Sequence, residues 1–450
     1  MSTSGTDHTN GTSAKMSKPT PGPIEWINVS VVYGPPEVEK KRTKTSPTEP
    51  IPRGSFCLIR LVNKLDDRVA GPLLVDRDEK LMIPLGFSDR FGLTLCDSSG
   101  KMTQTKKNNF KRTVRICYPA GTGTLVIRTD LDWGRDMNPV AVSSDGNTAT
   151  FEIEAQQRFV HFKPCLIKNG NLHWAVGPDN LLIMAGKDAR SVYPYFFSDS
   201  RGRFSPIVQI ESAILGRHHR LRIYLPPGYD ENTTARYPLA YMQDGQNLFF
   251  PQEAFRHEHW EIDETSQVLR AMRAIEDLII VGVYSNERRE EEYTKPGYEA
   301  YARSIVEELV PAEQLFLRTT KSPVDRSMWG SSLGGVVSFY SAWEYPGVFG
   351  GAVCMSSTFS YKDDLIERVL SEPTRDVRFY LDSGWPNDNY EVTTEMALAL
   401  VSRGWRYGCD FINLVFPHAA HDEKAWGMRL HLPMQFFTGV VARASRAMIS

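Results

Sequence analysis

From residue 207 to residue 437 the chain alternates between two kinds of segment, and this alternation limits its possible folds more than any other feature. Residues 207–215 and 220–225 read as a strand pair joined tightly through Gly216 and Arg217. Strand-like runs follow at 238–242, 278–284, 324–329, 352–355, 377–381 and 411–415. Helical spacing lies between them at 261–275, 298–316, 336–343, 362–370 and 391–403, and again at 423–437. The run LIIVGVY at 278–284 is apolar throughout, as a strand buried on both faces must be. Strands alternating with helices predict an α/β domain, a doubly wound and mostly parallel sheet covered on both faces. On such a sheet, chemistry sits at the C-terminal ends of the strands.

With 450 residues the chain is too long for one typical domain. Short runs rich in β-branched and aromatic residues occupy 56–62, 113–118, 124–128 and 148–154, divided by turn signals such as SSDGN at 143–147. They predict an N-terminal β-sandwich, immunoglobulin-like, over 23–192, ahead of a catalytic α/β domain over 205–440. The composition changes near 193–206, and the sandwich is expected to pack beside the catalytic mouth. Residues 1–22 are a polar Ser/Thr/Gly/Pro tail, expected to be disordered. The net charge of -2 leaves no electrostatic footprint for nucleic acid or an anionic membrane, so neither is an expected partner. No apolar run is long enough to span a bilayer, and the first residues have no signal-peptide core. The six cysteines stand singly, without zinc or redox spacing. Together these features point to the cytoplasm, with a homo-oligomer left open.

Gly330-Ser331-Ser332-Leu333-Gly334 fits G-x-S-x-G, the turn that exposes a nucleophilic serine between a strand and a helix. Small residues two before and two after Ser332 let the chain pass close to itself. The amide of Leu333 is one expected oxyanion donor. A serine needs a base, and in α/β-hydrolases the partners follow it in the order acid, then histidine. His421 lies in the loop between the strand at 411–415 and the last helix; His418 is the fallback, and His431 falls inside the helix. The acid is expected after the strand at 377–381, where Asp382, Asp388 and Glu391 are candidates, with Asp388 preferred because it must reach over a strand end. The second oxyanion donor is the amide of Gln246, in the loop Gln243-Asp244-Gly245-Gln246-Asn247, where Gly245 is expected to permit a sharp turn. Arg256-His257-Glu258-His259 lacks a further ligand at matched spacing, so no metal site and no cofactor are expected.

YPLAYMQDGQNLF, LIIVGVYSNERREEEYT, WGSSLGG followed by YPGVFG, and HDEKAW occur in that order. This set resembles the putative-esterase family of α/β-hydrolases, which includes enterochelin (ferric-siderophore) esterases, feruloyl esterases, esterase-D-like enzymes and some acyltransferases. The resemblance covers roughly residues 205–439. It implies Ser332 as nucleophile, His421 as base and an acid in the loop containing Asp388, although 384–388 is about one residue longer than the family pattern. It also brings Arg289, Trp385 and Asn247 forward as substrate-site residues, with Arg289 equally able to bury an ion pair.

The expected chemistry is two-step acyl transfer on a small-molecule carboxylic ester, with acyl transfer to an alcohol or a carbohydrate-ester (feruloyl or acetyl) esterase as the alternatives and a non-catalytic binding protein as a remote third. Upstream, Trp133, Lys163, Trp174 and Asn180 occur in the order used by glycogen-binding modules. The tryptophans are nevertheless expected to fill the sandwich core, with sugar binding the lesser reading.

Overall fold

The computed structural model describes residues 109–185 and 189–447, together with short strands inside 28–103. The expected tail, 1–22, lies outside the described residues. The chain divides into two compact units, Met1–Lys107 and Asn108–Ser450. In the first unit Asn28–Tyr33, Cys57–Val62 and Val69–Val75 pair antiparallel in that order, and Leu95–Cys96 pairs with Met102–Thr103.

The second unit begins with two facing sheets. One takes Phe110–Cys117, Thr148–Ala155, Ala141–Val142 and Arg190–Val192; the other takes Thr124–Thr129, Asp132–Met137, Phe159–Lys168, Asn171–Trp174 and Asn180–Ile183. Strict alternation along Thr148–Ala155 turns Ala149, Phe151, Ile153 and Ala155 inward. They meet Val114, Ile116, Ile127, Val160, Phe162 and Leu182 in one apolar cluster.

A nine-stranded sheet follows: β1 (Arg203–Phe204), β2 (Val208–Ser212), β3 (Arg217–Leu225), β4 (Leu239–Gln243), β5 (Ile279–Val283), β6 (Arg326–Ser331), β7 (Gly351–Met355), β8 (Arg378–Trp385) and β9 (Phe411–Pro417). The order β3-β5-β4-β6-β7-β8-β9 is parallel from β5 onward, while β1, β2 and β3 run antiparallel at one edge. This is an α/β-hydrolase-like fold with a mixed sheet. The central strands β4, β5, β6 and β7 are buried at every residue. β6 tolerates its polar start because Arg326 lies 4.0 Å from buried Glu313 and Ser327 accepts from Trp329 Nε1 at 2.7 Å.

The helices are α1 (Ile262–Ala271), α2 (Arg289–Tyr293), α3 (Gly297–Ser304), α4 (Val310–Glu313), α5 (Leu333–Glu344), α6 (Leu365–Ser371), α7 (Tyr390–Ser402), α8 (Glu423–Arg429), α9 (His431–Thr438) and α10 (Val440–Ala447). The helix expected at 298–316 is broken by a π-turn at Ile305–Leu309. The one expected at 423–437 is two helices meeting at Leu430. Among the described residues no helix is long and apolar enough to cross a membrane. Cys117, Cys165 and Cys354 are buried free thiols, and Cys409 is an exposed one.

The two facing sheets do not dock beside the mouth of the parallel sheet. Asn232 Nδ2 donates to the carbonyls of Cys117 and Pro194, and Arg270 and Arg273 reach Tyr195, Ser200, Pro178 and Asp179. Those residues precede β4 and β5, so the contact lies at the N-terminal ends of the parallel strands, opposite the ends that carry Gln246 and His421.

Candidate active site

Ser332 occupies the turn between β6 and α5 at φ 54°, ψ -126°, a strained conformation for a non-glycine residue. The glycines explain how the turn closes: a Cβ on Gly330 would lie 2.3 Å from the carbonyl carbon of Gly334. α5 starts at Leu333, whose amide opens the helix, where first-turn N–H groups have no acceptor within the helix.

His421 Nε2 lies 3.0 Å from Ser332 Oγ, and His421 Nδ1 lies 2.6 Å from Asp388 Oδ1. The Asp388 side chain is fully buried. Burial alone would raise its pKa, but hydrogen bonds from His421, Ser356, Gly384 and Asn389 outweigh that and hold it at about 2. Its Oδ2 accepts from Ser356 Oγ at 2.6 Å and Gly384 N at 2.5 Å, and its Oδ1 from Asn389 N at 2.8 Å. An ionised carboxylate can only accept, so Nδ1 of His421 carries the ring proton and Nε2 is free to accept from Ser332. The ring of Trp426 meets the His421 imidazole edge to face at 5.0 Å.

β8 runs four residues beyond Leu381, which decides the surroundings of the other two acid candidates. Asp382 lies inside that strand, fully buried, 3.1 Å from Arg429 and accepting from Tyr380 Oη at 2.9 Å. Burial pushes its pKa up to about 6 against the pull of Arg429. Glu391 is exposed in the first turn of α7.

Across the mouth, Gln246 is fixed by its side chain: Oε1 accepts from Ser285 N at 3.1 Å and Nε2 donates to Ser285 Oγ at 2.8 Å. Gly245 does not supply a left-handed turn. Asp244 takes that conformation at φ 54°, and Gly245 is needed because a Cβ there would sit 2.3 Å from the Gly282 carbonyl carbon. Arg289 grips Asp244 through two bonds of 2.6 and 2.8 Å. Burial draws the guanidinium pKa down, and the Asp244 charge more than reverses it, so the net shift is upward. The pair abuts the nucleophile turn, since a Cβ on Gly334 would lie 3.1 Å from Asp244 Oδ2. Asn247 is buried, donating to Glu423 Oε1 at 2.9 Å and accepting from Phe255 N at 2.9 Å. Trp260 Nε1 donates to the other oxygen of Glu423. Burial lifts the Glu423 pKa to about 7. Trp385 is half exposed at the end of β8.

Residues 212–432 match the model of the family described as "Putative esterase". Over that stretch the chain is similar to that family. Two curated relatives come from Bacillus subtilis (strain 168). The uncharacterized protein YbbA is 27% identical over 161 residues, covering 32% of this chain and 59% of its own length. The uncharacterized protein YjcH is 31% identical over 146 residues, covering 32% and 57%. The match therefore spans less than two thirds of either relative. Among solved structures, a ferulic acid esterase aligns at 19% identity over 53% of this chain and 98% of its own, with a TM-score of 0.45. The enterobactin esterase of Shigella flexneri aligns at 12% identity over 74% and 95%, with a TM-score of 0.43.

The remaining candidates lie off the line from Ser332 through His421 to Asp388. His418 sits at φ 65° and donates its amide to the Trp385 carbonyl at 2.6 Å. His431 is exposed at the start of α9, its Nδ1 3.1 Å from the Met428 carbonyl. Arg256 and His257 form a left-handed turn, and among the described residues no three His, Cys, Asp or Glu side chains converge as a metal site. Upstream, Trp133 and Trp174 are not core residues: they are 36% and 40% exposed, with ring centroids 6.2 Å apart. Asn180 is buried, and Lys163 donates to the Gly177 carbonyl at 2.8 Å. Two polar groups escaped the sequence reading. Glu423 stands within the HDEKAW motif, two residues after His421, so a signal existed. Ser356 follows β7 with nothing in the sequence to mark it.

Proposed function

We propose that the esterase domain hydrolyses a carboxylic ester through an acyl-enzyme formed on Ser332. What carries this reading is the continuous hydrogen-bonded line from Ser332 Oγ through His421 to buried Asp388, at 3.0 and 2.6 Å. His421 Nε2 takes the Ser332 proton as Oγ attacks the carbonyl carbon. The amides of Leu333 and Gln246 receive the oxyanion, whose stabilisation is commonly the largest single contribution to such rates. On collapse of the intermediate, His421 gives its proton to the departing alkoxide, and the alcohol leaves. Water then repeats the sequence on the acyl-enzyme and releases the acid. Asp388 holds the imidazole in the required tautomer and stabilises the imidazolium. Arg289 acts on this chemistry by bracing Asp244 beside the turn. A siderophore-type or feruloyl-type ester as substrate rests on the motif resemblance alone.

The facing sheets over residues 109–192 are proposed as a β-sandwich domain that buttresses the sheet from below instead of shaping substrate choice.

The test is Ser332→Ala in the full chain with 4-nitrophenyl acetate. Hydrolysis is expected to fall on the order of 10⁴-fold with the fold retained, since triad members act as a unit. A folded variant with near-full activity contradicts the proposal.

A further inference from the structure

Ser356 is buried, and its hydroxyl makes three contacts. Trp426 Nε1 lies at 3.0 Å, Arg429 Nη2 at 3.0 Å and Asp388 Oδ2 at 2.6 Å. An indole N–H and a guanidinium N–H can only donate, so both lone pairs of Ser356 Oγ are taken. Its one proton is left for Asp388, and the direction of that bond is forced. Every bond from Trp426 and Arg429 to the nucleophile then has a fixed polarity: into Ser356, on to Asp388, from His421 Nδ1 into Asp388, and from Ser332 into His421 Nε2.

The local backbone serves the same arrangement. Ser356 sits at φ 43°, its amide donates to the Asp382 carbonyl at 2.7 Å, and Asn389 Nδ2 donates to the Ser356 carbonyl at 2.7 Å. Trp426 and Arg429 are three residues apart on α8 and so share a face. Asp422 caps that helix by accepting from Ala425 N at 2.8 Å, which ties the helix to the loop carrying His421. Arg429 is neutralised from behind by Asp382 at 3.1 Å. One short helix thus presses on the base through the Trp426 ring and reaches the acid through Ser356.

We infer that Ser356 is a positioning residue of the esterase site, orienting and polarising the acid Asp388 under the grip of Trp426 and Arg429. The inference rests on the serine-hydrolase reading of Ser332, His421 and Asp388. It assigns Ser356 no contact with substrate; it acts through Asp388.

The experiment compares full-length Ser356→Ala, Ser356→Gly and Ser356→Cys with wild type, using 4-nitrophenyl acetate turnover and the rate of Ser332 labelling by a fluorophosphonate. Glycine accepts the positive φ without strain, so it separates loss of the hydroxyl from loss of backbone comfort. For Ala and Gly, kcat is expected to fall about 10- to 100-fold, the scale of one hydrogen bond to a charged group, with KM within about two-fold. Labelling is expected to slow by the same factor, and cysteine, which keeps an acceptor and a weak donor, to recover part of both. Should Ala and Gly fail to fold, Ser356→Cys alone must show a lowered kcat at unchanged KM. Wild-type kcat in Gly or Cys, or losses shared equally between kcat and KM that cysteine does not relieve, overturn the inference. A wild-type protein that the fluorophosphonate does not label at Ser332 overturns instead the reading beneath it.

Discussion

Asp382 and Arg429 form a buried ion pair at 3.1 Å, and Arg429 also donates to the Ser356 hydroxyl that meets Asp388. Two aspartates six residues apart therefore face opposite demands. Asp388 is expected to matter for rate: Asp388→Asn should lower kcat about 10³- to 10⁴-fold, because the wrong imidazole tautomer is then held. Asp382 is expected to matter for stability: Asp382→Asn leaves Arg429 without its counter-charge and should cost about 3–5 kcal/mol. Thermal melts beside turnover separate the two. Equal losses of kcat in both variants, at equal stability, contradict the assignment.

That division explains what could be read from the sequence. Ser332 and His421 stand out because G-x-S-x-G and chain order are local facts. The acid stayed open among Asp382, Asp388 and Glu391 because the end of β8 is set by pairing with β9, which extends it to Trp385. The polar start of β6 is settled only by its partners Glu313 and Trp329. Trp133 and Trp174 pointed to the core, yet both lie on the outer side of their sheet, because a strand's facing depends on register that composition does not carry. The docking of the upstream sheets depends on Asn232, Arg270 and Arg273, none of which belongs to a motif.

Arg289 should not be replaceable by lysine. Its planar fork meets both oxygens of Asp244, and a single ammonium cannot hold the carboxylate in that plane. Arg289→Lys is expected to lower kcat about 10-fold by loosening the loop that carries Gln246. Steady-state kinetics check it, and unchanged kcat contradicts the bracing role.

Stability should respond to pH with opposite signs at two carboxyls. Asp388, held at about 2, contributes stability above its ordinary range near pH 4, and that contribution is lost as pH falls towards 2. Glu423, raised to about 7, contributes stability below its ordinary range, and that contribution is lost as pH rises through 7. Urea midpoints should therefore fall for wild type relative to Asp388→Asn between about pH 4 and pH 2. They should fall for wild type relative to Glu423→Gln between about pH 4 and pH 7. Parallel curves in either comparison contradict the corresponding environment.

Glu231 clasps the segment that joins the facing sheets to the nine-stranded sheet. Its carboxylate accepts from the amides of Phe196, Phe197 and Ser198 and from the hydroxyls of Ser198 and Tyr118. Glu231→Ala should free residues 193–206 to proteases while leaving kcat on 4-nitrophenyl acetate within about two-fold, because this contact lies opposite the mouth. Limited proteolysis reads the first outcome and turnover the second. A large loss of kcat in an otherwise intact variant contradicts the placement of those sheets away from the chemistry.

The central claim is that the acyl group is carried on Ser332. Its most direct measurement is peptide mass mapping of wild-type protein acid-quenched during turnover of a slowly deacylating 4-nitrophenyl ester. One acyl group per chain is expected, located on the peptide containing Gly330–Gly334 and on Ser332 within it, with no adduct in Ser332→Ala. A stoichiometric acyl adduct on any other residue, or turnover with an intact adduct-free Ser332 and full activity in Ser332→Ala, contradicts it.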